Sequence, residues 1–473
     1  MLLLVYVAIL RRRSMFCGNK RRSAKIPLPN YLASICRLSS SMFLYCKHIT
    51  SRVQYIAQWM GDWLFGEALQ VIDNEALARN QFLINYSDVV IPGTYQVIPQ
   101  GLLFEKRLST QTVSVTHAQP FPIFFETAGQ HPFDILSASF YLLSRYEEYL
   151  PHQKDEYGRY GHVNSLACRE KFLNRSLVDE WMHDLKERLG AFFPGMVFAR
   201  RNFQFLPTYD VDMAWSYRQK GLLRNVGGMA KQISSGQFEA ASERIQTIAT
   251  GKKDPFDVFA DLDELHDRYR LLPVYFFLLA DKNRGYDKNI SPRNKAFQHL
   301  VKKLAGRYLS GIHLSWQAWE NYDLMKNEKN SLEAITAMQV QSNRMHFIKF
   351  DLPETFQQLI EIGITRDYSM GYGSINGYRA STCNPFYWYD LKREKSTSLQ
   401  LFPFCYMEAN SIFEQKDDPQ KALEEMQFYF DSIKKLEGMF VTIFHNHLVG
   451  YDANGRPWWQ MYNRFLEQNF SGG

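Results

Sequence analysis

From Phe203 onward, short apolar runs alternate with longer stretches whose apolar residues recur at helical spacing. The runs fall at 203–212, 274–280, 310–316, 345–350, 364–370, 399–404 and 439–447. Each has the length of a buried strand, and several of the intervening stretches have room for a helix. Asp254-Pro255, Ser291-Pro292 and Asp418-Pro419 each put a capping side chain before proline at a first helical position. Gly363 and Gly438 sit where helix C-terminal glycines belong. Buried strands alternating with helices predict a parallel sheet, because parallel strands need a crossover between them. Residues 203–473 are therefore expected to form an α/β barrel-like domain.

Two other regions precede it. Residues 51–200 mix helical and extended patterns: Asp134–Leu150 reads as a helix capped by Asp134 and stopped by Pro151, and Ser176 opens a second amphipathic helix. They are expected to form a smaller accessory α/β domain. Residues 1–50 read as a basic leader without fixed structure, or as an over-long gene start. The apolar run Met1–Leu10 is shorter than the roughly 20 residues that span a bilayer. Its charges follow the apolar run, whereas a secretory signal places them before it.

Titratable residues gather at the ends of the predicted strands: Asp210 and Asp212, His313, Arg344 and His346, Asp367, then His445 and His447. Active sites of barrels are built from strand C-terminal ends, so this recurrence points to a single site. In an extended chain Asp210 and Asp212 face the same way, and two close carboxylates repel unless a cation joins them. One can then ligate while the other accepts a proton; the same pair can equally cap a helix at a strand–helix turn. A histidine ending a buried strand is either a satisfied structural residue or a ligand, and His313 gains weight only from its neighbours. Asn376–Thr382 has the look of a loop over the site, in which Arg379 binds an anion, braces a carboxylate or is simply solvated.

Composition narrows the picture. The net charge of +6 comes from the leader, which holds nine Lys or Arg and no acid, so the chain after residue 50 carries −3. A nucleic-acid footprint is not expected. Six cysteines include no C-x-x-C pair, which argues against a disulfide framework and for a reducing, cytoplasmic setting. No stable membrane span is expected, and no pattern sets an oligomeric state.

The order Thr208-Tyr209-Asp210-Val211-Asp212, Gly311-Ile312-His313-Leu314-Ser315-Trp316, a strand-end Arg344, Asp367-Tyr368-Ser369 and Ile443-Phe444-His445 resembles the NodB-type polysaccharide deacetylases, carbohydrate esterase family 4. Within them it most resembles a divergent, Bacteroidetes-like branch with Asp-x-Asp and an uncharacterised N-terminal domain. The resemblance implies a distorted (β/α) barrel of the NodB type, one divalent metal ion (usually zinc) and hydrolysis of an N-acyl group on an amino sugar. It implies Asp210 as general base, Asp212 and His313 as metal ligands, Arg344 as the residue orienting the base, Asp367 as its partner carboxylate and His445 as general acid.

The chain departs from the family where a second ligand histidine belongs: four residues beyond His313 stands Gln317, a poor zinc ligand. His346, two residues after Arg344 and so on the same strand face, is expected to replace it. The expected triad is Asp212, His313 and His346, with Trp316, Tyr372 and Arg379 as contacts to a carbohydrate substrate. Two other readings stay open: a catalytically silent carbohydrate-binding barrel, and a carbon–nitrogen hydrolase of a small non-sugar amide.

Overall fold

The computed structural model describes residues 42–74, 82–117, 120–282 and 284–471. Its strands are β1 (Met42–Tyr45), β2 (Gln70–Ile72), β3 (Phe82–Asn85), β4 (Tyr95–Gln96), β5 (Val115–Thr116), β6 (Ile123–Phe124), β7 (Gln204–Val211), β8 (Val274–Leu278), β9 (Leu309–Leu314), β10 (Ser342–Met345), β11 (Arg366–Asp367), β12 (Phe386–Asp390), β13 (Lys395–Leu401), β14 (Tyr406–Met407) and β15 (Met439–His445). The main helices are α1 (Ser51–Phe65), α2 (Ile135–Leu143), α3 (Leu177–Phe192), α4 (Leu222–Ser234), α5 (Phe238–Ala249), α6 (Phe259–Arg268), α7 (Lys295–Arg307), α8 (Tyr322–Thr336), α9 (Glu354–Glu361), α10 (Pro419–Lys435) and α11 (Arg456–Phe470).

The expected alternation of strand and helix is present after residue 203, and its strands build one sheet in the order β12-β13-β11-β10-β9-β8-β7-β15-β14. Every pairing is parallel except β12 with β13. The fold is thus mixed α/β, and the ladder runs from edge to edge with no pairing between β12 and β14 among the described residues. Helix α10 shows how the chain encodes its parts. Asp418 accepts the Lys421 amide at 2.9 Å ahead of Pro419, and Leu423, Met426, Phe430 and Ile433 form its buried stripe. Gly311 answers a steric need inside β9: a Cβ there would lie 2.5 Å from the Phe276 ring and 2.7 Å from the Ser342 carbonyl oxygen.

Several boundaries differ from the sequence reading. The region taken as a leader, 1–50, contains β1 at its end, paired on both sides by β2 and β3; residues 1–41 lie outside the described residues. Pro255 and Pro292 do not open helices. Helix α6 begins at Phe259 and α7 at Lys295, where Asn294 rather than Ser291 is the cap. Asp254 instead accepts the backbone amides of Ser216, Tyr217 and Arg218. The run 345–350 is not a strand, because β10 ends at Met345 and His346–Ile348 forms a 3₁₀ turn.

The accessory region and the large sheet share buried polar joints. Asp179 on α3 accepts from Thr382 Oγ1 (2.8 Å), the Cys383 amide (2.8 Å) and Asn384 Nδ2 (2.7 Å). Glu148 lies between two buried guanidinium groups, 2.7 Å from Arg145 and 2.5 Å from Arg379. Burial opposes its charge, but Arg379 and Arg145 prevail and hold its pKa down at about 2, from 4.5. A depressed carboxyl pKa stabilises the fold above the unfolded value, and that stability is lost as pH falls. The melting temperature is therefore expected to drop as pH falls from 4.5 toward 2. Glu148→Gln should flatten that slope while costing about 3–5 kcal/mol at neutral pH, because two buried cations lose their counter-charge. Thermal melts across that pH range measure both effects.

Candidate metal centre

Sheet register assembles the site. Asp210 on β7 pairs with His445 on β15, and His313 on β9 pairs with Arg344 on β10. Asp212 lies one residue past the end of β7. One donor atom each from Asp212, His313 and His346 lies within 4.8 Å of the other two. The three side chains are close to buried, Asp212 being the most open at 13%. His346 reaches the centre from the turn after β10, not from the strand itself; Phe347 and Ile348 follow it with φ of 60° and 55°. That left-handed turn swings the imidazole inward, and the strand alternation that nominated His346 does not operate there.

Each imidazole is held through the nitrogen that faces away from the cluster. His313 Nδ1 lies 2.9 Å from the Arg344 carbonyl oxygen, so Nδ1 carries the proton and Nε2 turns its lone pair inward. His346 Nδ1 lies 2.8 Å from Asp287 Oδ1. Asp287 in turn accepts the amides of Trp316 (2.7 Å) and Gln317 (3.1 Å) and the Gln317 side-chain amide (3.0 Å). Gln317 is therefore not a ligand. It fixes the carboxylate that fixes His346, an outer-shell arrangement typical of metal-binding histidines.

The inward-facing atoms lack protein partners. His313 Nε2 and Asp212 Oδ1 stand 3.3 Å apart, both buried and without a hydrogen bond. An imidazole lone pair facing a carboxylate oxygen is unfavourable unless a cation lies between them. Without a metal, a proton serves. Burial opposes charge on His346, but Asp212 and Asp287 raise its pKa to about 9. Burial likewise works against Asp212, and His346 first and then His445 nonetheless hold it well below the carboxylate range. Two imidazoles and one carboxylate match the three-ligand sets that bind zinc with a position left open.

Two further pairs flank the triad. Arg344, fully buried, donates to Asp210 (2.7 Å), to Thr208 Oγ1 (2.8 Å) and to the Tyr368 carbonyl (3.1 Å), with its guanidinium 4.4 Å from the Phe276 ring centre. It leaves Asp210 Oδ2 facing the cluster, 3.7 Å from His313 Nε2. On the other side, His445 Nδ1 lies 2.9 Å from Glu408 Oε1, and its Nε2 points to Asp212 at 3.7 Å and Asp210 at 3.9 Å. Burial opposes protonation of His445, yet Glu408, Asp212 and Asp210 raise its pKa to about 10. His447, beside His445 at 5.5 Å between ring centres, is driven the other way by burial, down to about 4.

Other expected residues stand apart from this cluster. Asp367 spends its carboxylate on Asn343 Nδ2 (2.7 Å) and on the amide and hydroxyl of Ser369 (2.8 and 3.0 Å); burial raises its pKa to about 6, and these bonds and the Arg344 charge only partly offset it. Arg379 braces Glu148, and Tyr372 is buried beside Arg145 and His162, so neither presents a group to a ligand. Trp316 does reach the rim. It stands with Tyr286 (4.6 Å between ring centres), Phe347 (5.5 Å) and Tyr157 (6.3 Å), the last supplied by the accessory region. Asp287 and Glu408 escaped the sequence reading: Asp287 lies in a loop without a motif, and Glu408 follows a strand of only two residues.

Comparison with known proteins finds only low similarity. Residues 42–194 match a family, DUF7033, described as a family of unknown function. No curated protein matches the chain. Among solved structures, a Mycobacterium smegmatis protein named for the polysaccharide deacetylases is 13% identical, with 59% of this chain and 87% of that one covered at a TM-score of 0.36. A polysaccharide deacetylase from Bacillus cereus is 12% identical, with 57% and 88% covered and a TM-score of 0.28. A carbohydrate esterase family 4 pseudoenzyme from Bacillus anthracis is 10% identical, with 57% and 62% covered and a TM-score of 0.28. Likeness at this level transfers no residue role.

Proposed function

We propose that this protein is a metal-dependent hydrolase that removes an N-acyl group, acetyl by default, from an amino sugar. The observation that carries the reading is the pairing of two separately braced groups across one triad: Asp210 held by Arg344 and His445 held by Glu408. A binding protein has no use for an oriented carboxylate and an oriented imidazole that both turn toward one ligand triad. That arrangement favours catalysis over the silent-barrel alternative.

Asp212, His313 and His346 would hold the ion, and their donor set suits zinc. A divalent ion bound there supplies Lewis acidity toward an acyl oxygen and lowers the pKa of water. The chain's own groups then divide the proton work. Arg344 fixes Asp210 through one oxygen, which leaves the other to accept a proton from an attacking water. His445, backed by Glu408, gives its proton to the departing amine nitrogen. The aromatic rim of Trp316, Tyr286, Tyr157 and Phe347 suits the C–H faces of a pyranose ring. The order of the strand-end motifs supports the choice of an N-acylated amino sugar.

The test is acetate release from N-acetylglucosamine oligomers by metal-replete protein, beside a panel of small non-sugar amides. Turnover on the sugars supports the proposal. Turnover only on the small amides overturns the substrate class, and silence on both at one ion per chain overturns hydrolysis.

A further inference from the structure

We infer that helices α4 and α5 form a bilayer-docking hairpin that seats the strand-end face of the sheet on an anionic lipid surface. The hairpin is an insertion between Asp212, at the end of β7, and α6. Its base is tied down where Asp254 accepts the amides of residues 216–218 and where Asn446, next to His445, donates to the Met213 and Phe256 carbonyls. It therefore rises from the same rim as the metal centre.

The two helices pack with their polarity reversed. The contact between them is made by Arg244, which donates to Gln232 and Asn225 of α4 and sits over the Tyr217 ring at 4.6 Å. Gly228 permits that approach, since a Cβ there would meet the guanidinium of Arg244 at 2.7 Å. The apolar side chains face outward instead: Leu222 is 79% exposed, Leu223 89%, Phe238 67% and Ile245 52%, with Val226, Ile233 and Ile248 about half exposed beside them. In α4, Leu222, Val226 and Ile233 share one face by helical spacing, and in α5 Phe238 and Ile245 do the same. A hairpin that buries an arginine at its helix contact and exposes its large apolar side chains is arranged for an apolar surrounding.

Charge selects which surrounding. Residues 216–253 hold seven Lys or Arg against two Asp or Glu, on a chain that is net acidic after residue 50. Arg224 and Lys231 are exposed on α4, on the side of the helix opposite Leu222, Val226 and Ile233. A short helix with one apolar face and cations on its other side fits the boundary between acyl chains and anionic headgroups. At 13 and 12 residues the helices are each about 20 Å long, too short to cross a bilayer, so they lie in its surface. No helix among the described residues is long and apolar enough to cross a membrane. The corollary that the site meets a substrate carried at the bilayer rests on the hydrolase reading above; the docking itself does not.

Sedimentation of the full chain with vesicles tests it. Vesicles of phosphatidylcholine and phosphatidylglycerol (3:1) should carry the protein down, and phosphatidylcholine alone should carry much less. Leu223→Glu/Phe238→Glu and Arg224→Glu/Lys231→Glu should each lower the partition coefficient by about tenfold or more, and added salt should weaken wild-type binding. All four positions are exposed, so melting temperature and metal content should stay at wild-type values. Failure of the wild type to bind the anionic vesicles overturns the inference. Binding that both variants retain overturns it too, since another segment such as residues 1–41 then makes the contact. A wild-type dimer that Leu223→Glu/Phe238→Glu converts to a lipid-indifferent monomer overturns it in favour of a second copy.

Discussion

His346→Ala is expected to lose its divalent ion under conditions where the wild type keeps one per chain. The ligand set has only three protein donors, and His346 supplies one of two neutral nitrogen donors to a site that otherwise keeps Asp212 and His313. Affinity should fall by more than the about 10–100-fold seen when an outer-shell partner is removed. Gln317→Ala provides the internal comparison. It leaves all three ligands in place and removes one hydrogen bond, at 3.0 Å, from Asp287, the carboxylate that orients His346. Its loss should stay at or below about 10–100-fold. Metal content by mass spectrometry and competition titration with a chelator rank the two. If Gln317→Ala empties the site while His346→Ala does not, the ligand assignment fails and the glutamine position regains the role that family resemblance gave it.

How far this site could be read from the chain depends on which residues sit in regular structure. Asp210, His313 and His445 lie on strands whose apolar runs are unmistakable, whereas Arg344 lies on the polar strand β10 just ahead of the run 345–350; strand register brings the four together. His346 joins the cluster for a reason other than strand alternation: it lies past the end of β10, in a turn with left-handed residues that no alternation rule describes. Asp287 and Glu408 act through hydrogen bonds to histidines far away in sequence, 59 and 37 residues distant, so no local spacing reveals them. Arg379 misled for a related reason. A cation in a polar loop looks solvated or anion-binding until the accessory region places Glu148 against it. β1 was lost in the leader because it is four residues long and follows a basic, poorly patterned stretch.

Asp210→Asn is expected to lower kcat by about 10²–10⁴-fold while metal content stays at one ion per chain. Asn keeps the size of the side chain and can still accept from Arg344 through its amide oxygen, so the pocket should survive. It has no basic oxygen to take a proton. The change also removes a negative charge from beside Arg344, a guanidinium with 0% exposure whose other partners are a hydroxyl and a backbone carbonyl. Some loss of stability is therefore expected, and Arg344→Met separates it from the catalytic effect. That variant leaves Asp210 buried without its cation, which should cost about 3–5 kcal/mol of stability. The double variant Asp210→Asn/Arg344→Met removes both charges, so most of that stability should return while kcat stays low. Chemical denaturation measured beside turnover and metal content gives the three quantities independently. A single Asp210→Asn variant that retains wild-type kcat at full metal content would remove Asp210 from the chemistry and leave the Arg344 pair as a structural strut. Stability that fails to return in the double variant would show instead that Arg344 acts mainly through Thr208, Tyr368 and the Phe276 ring.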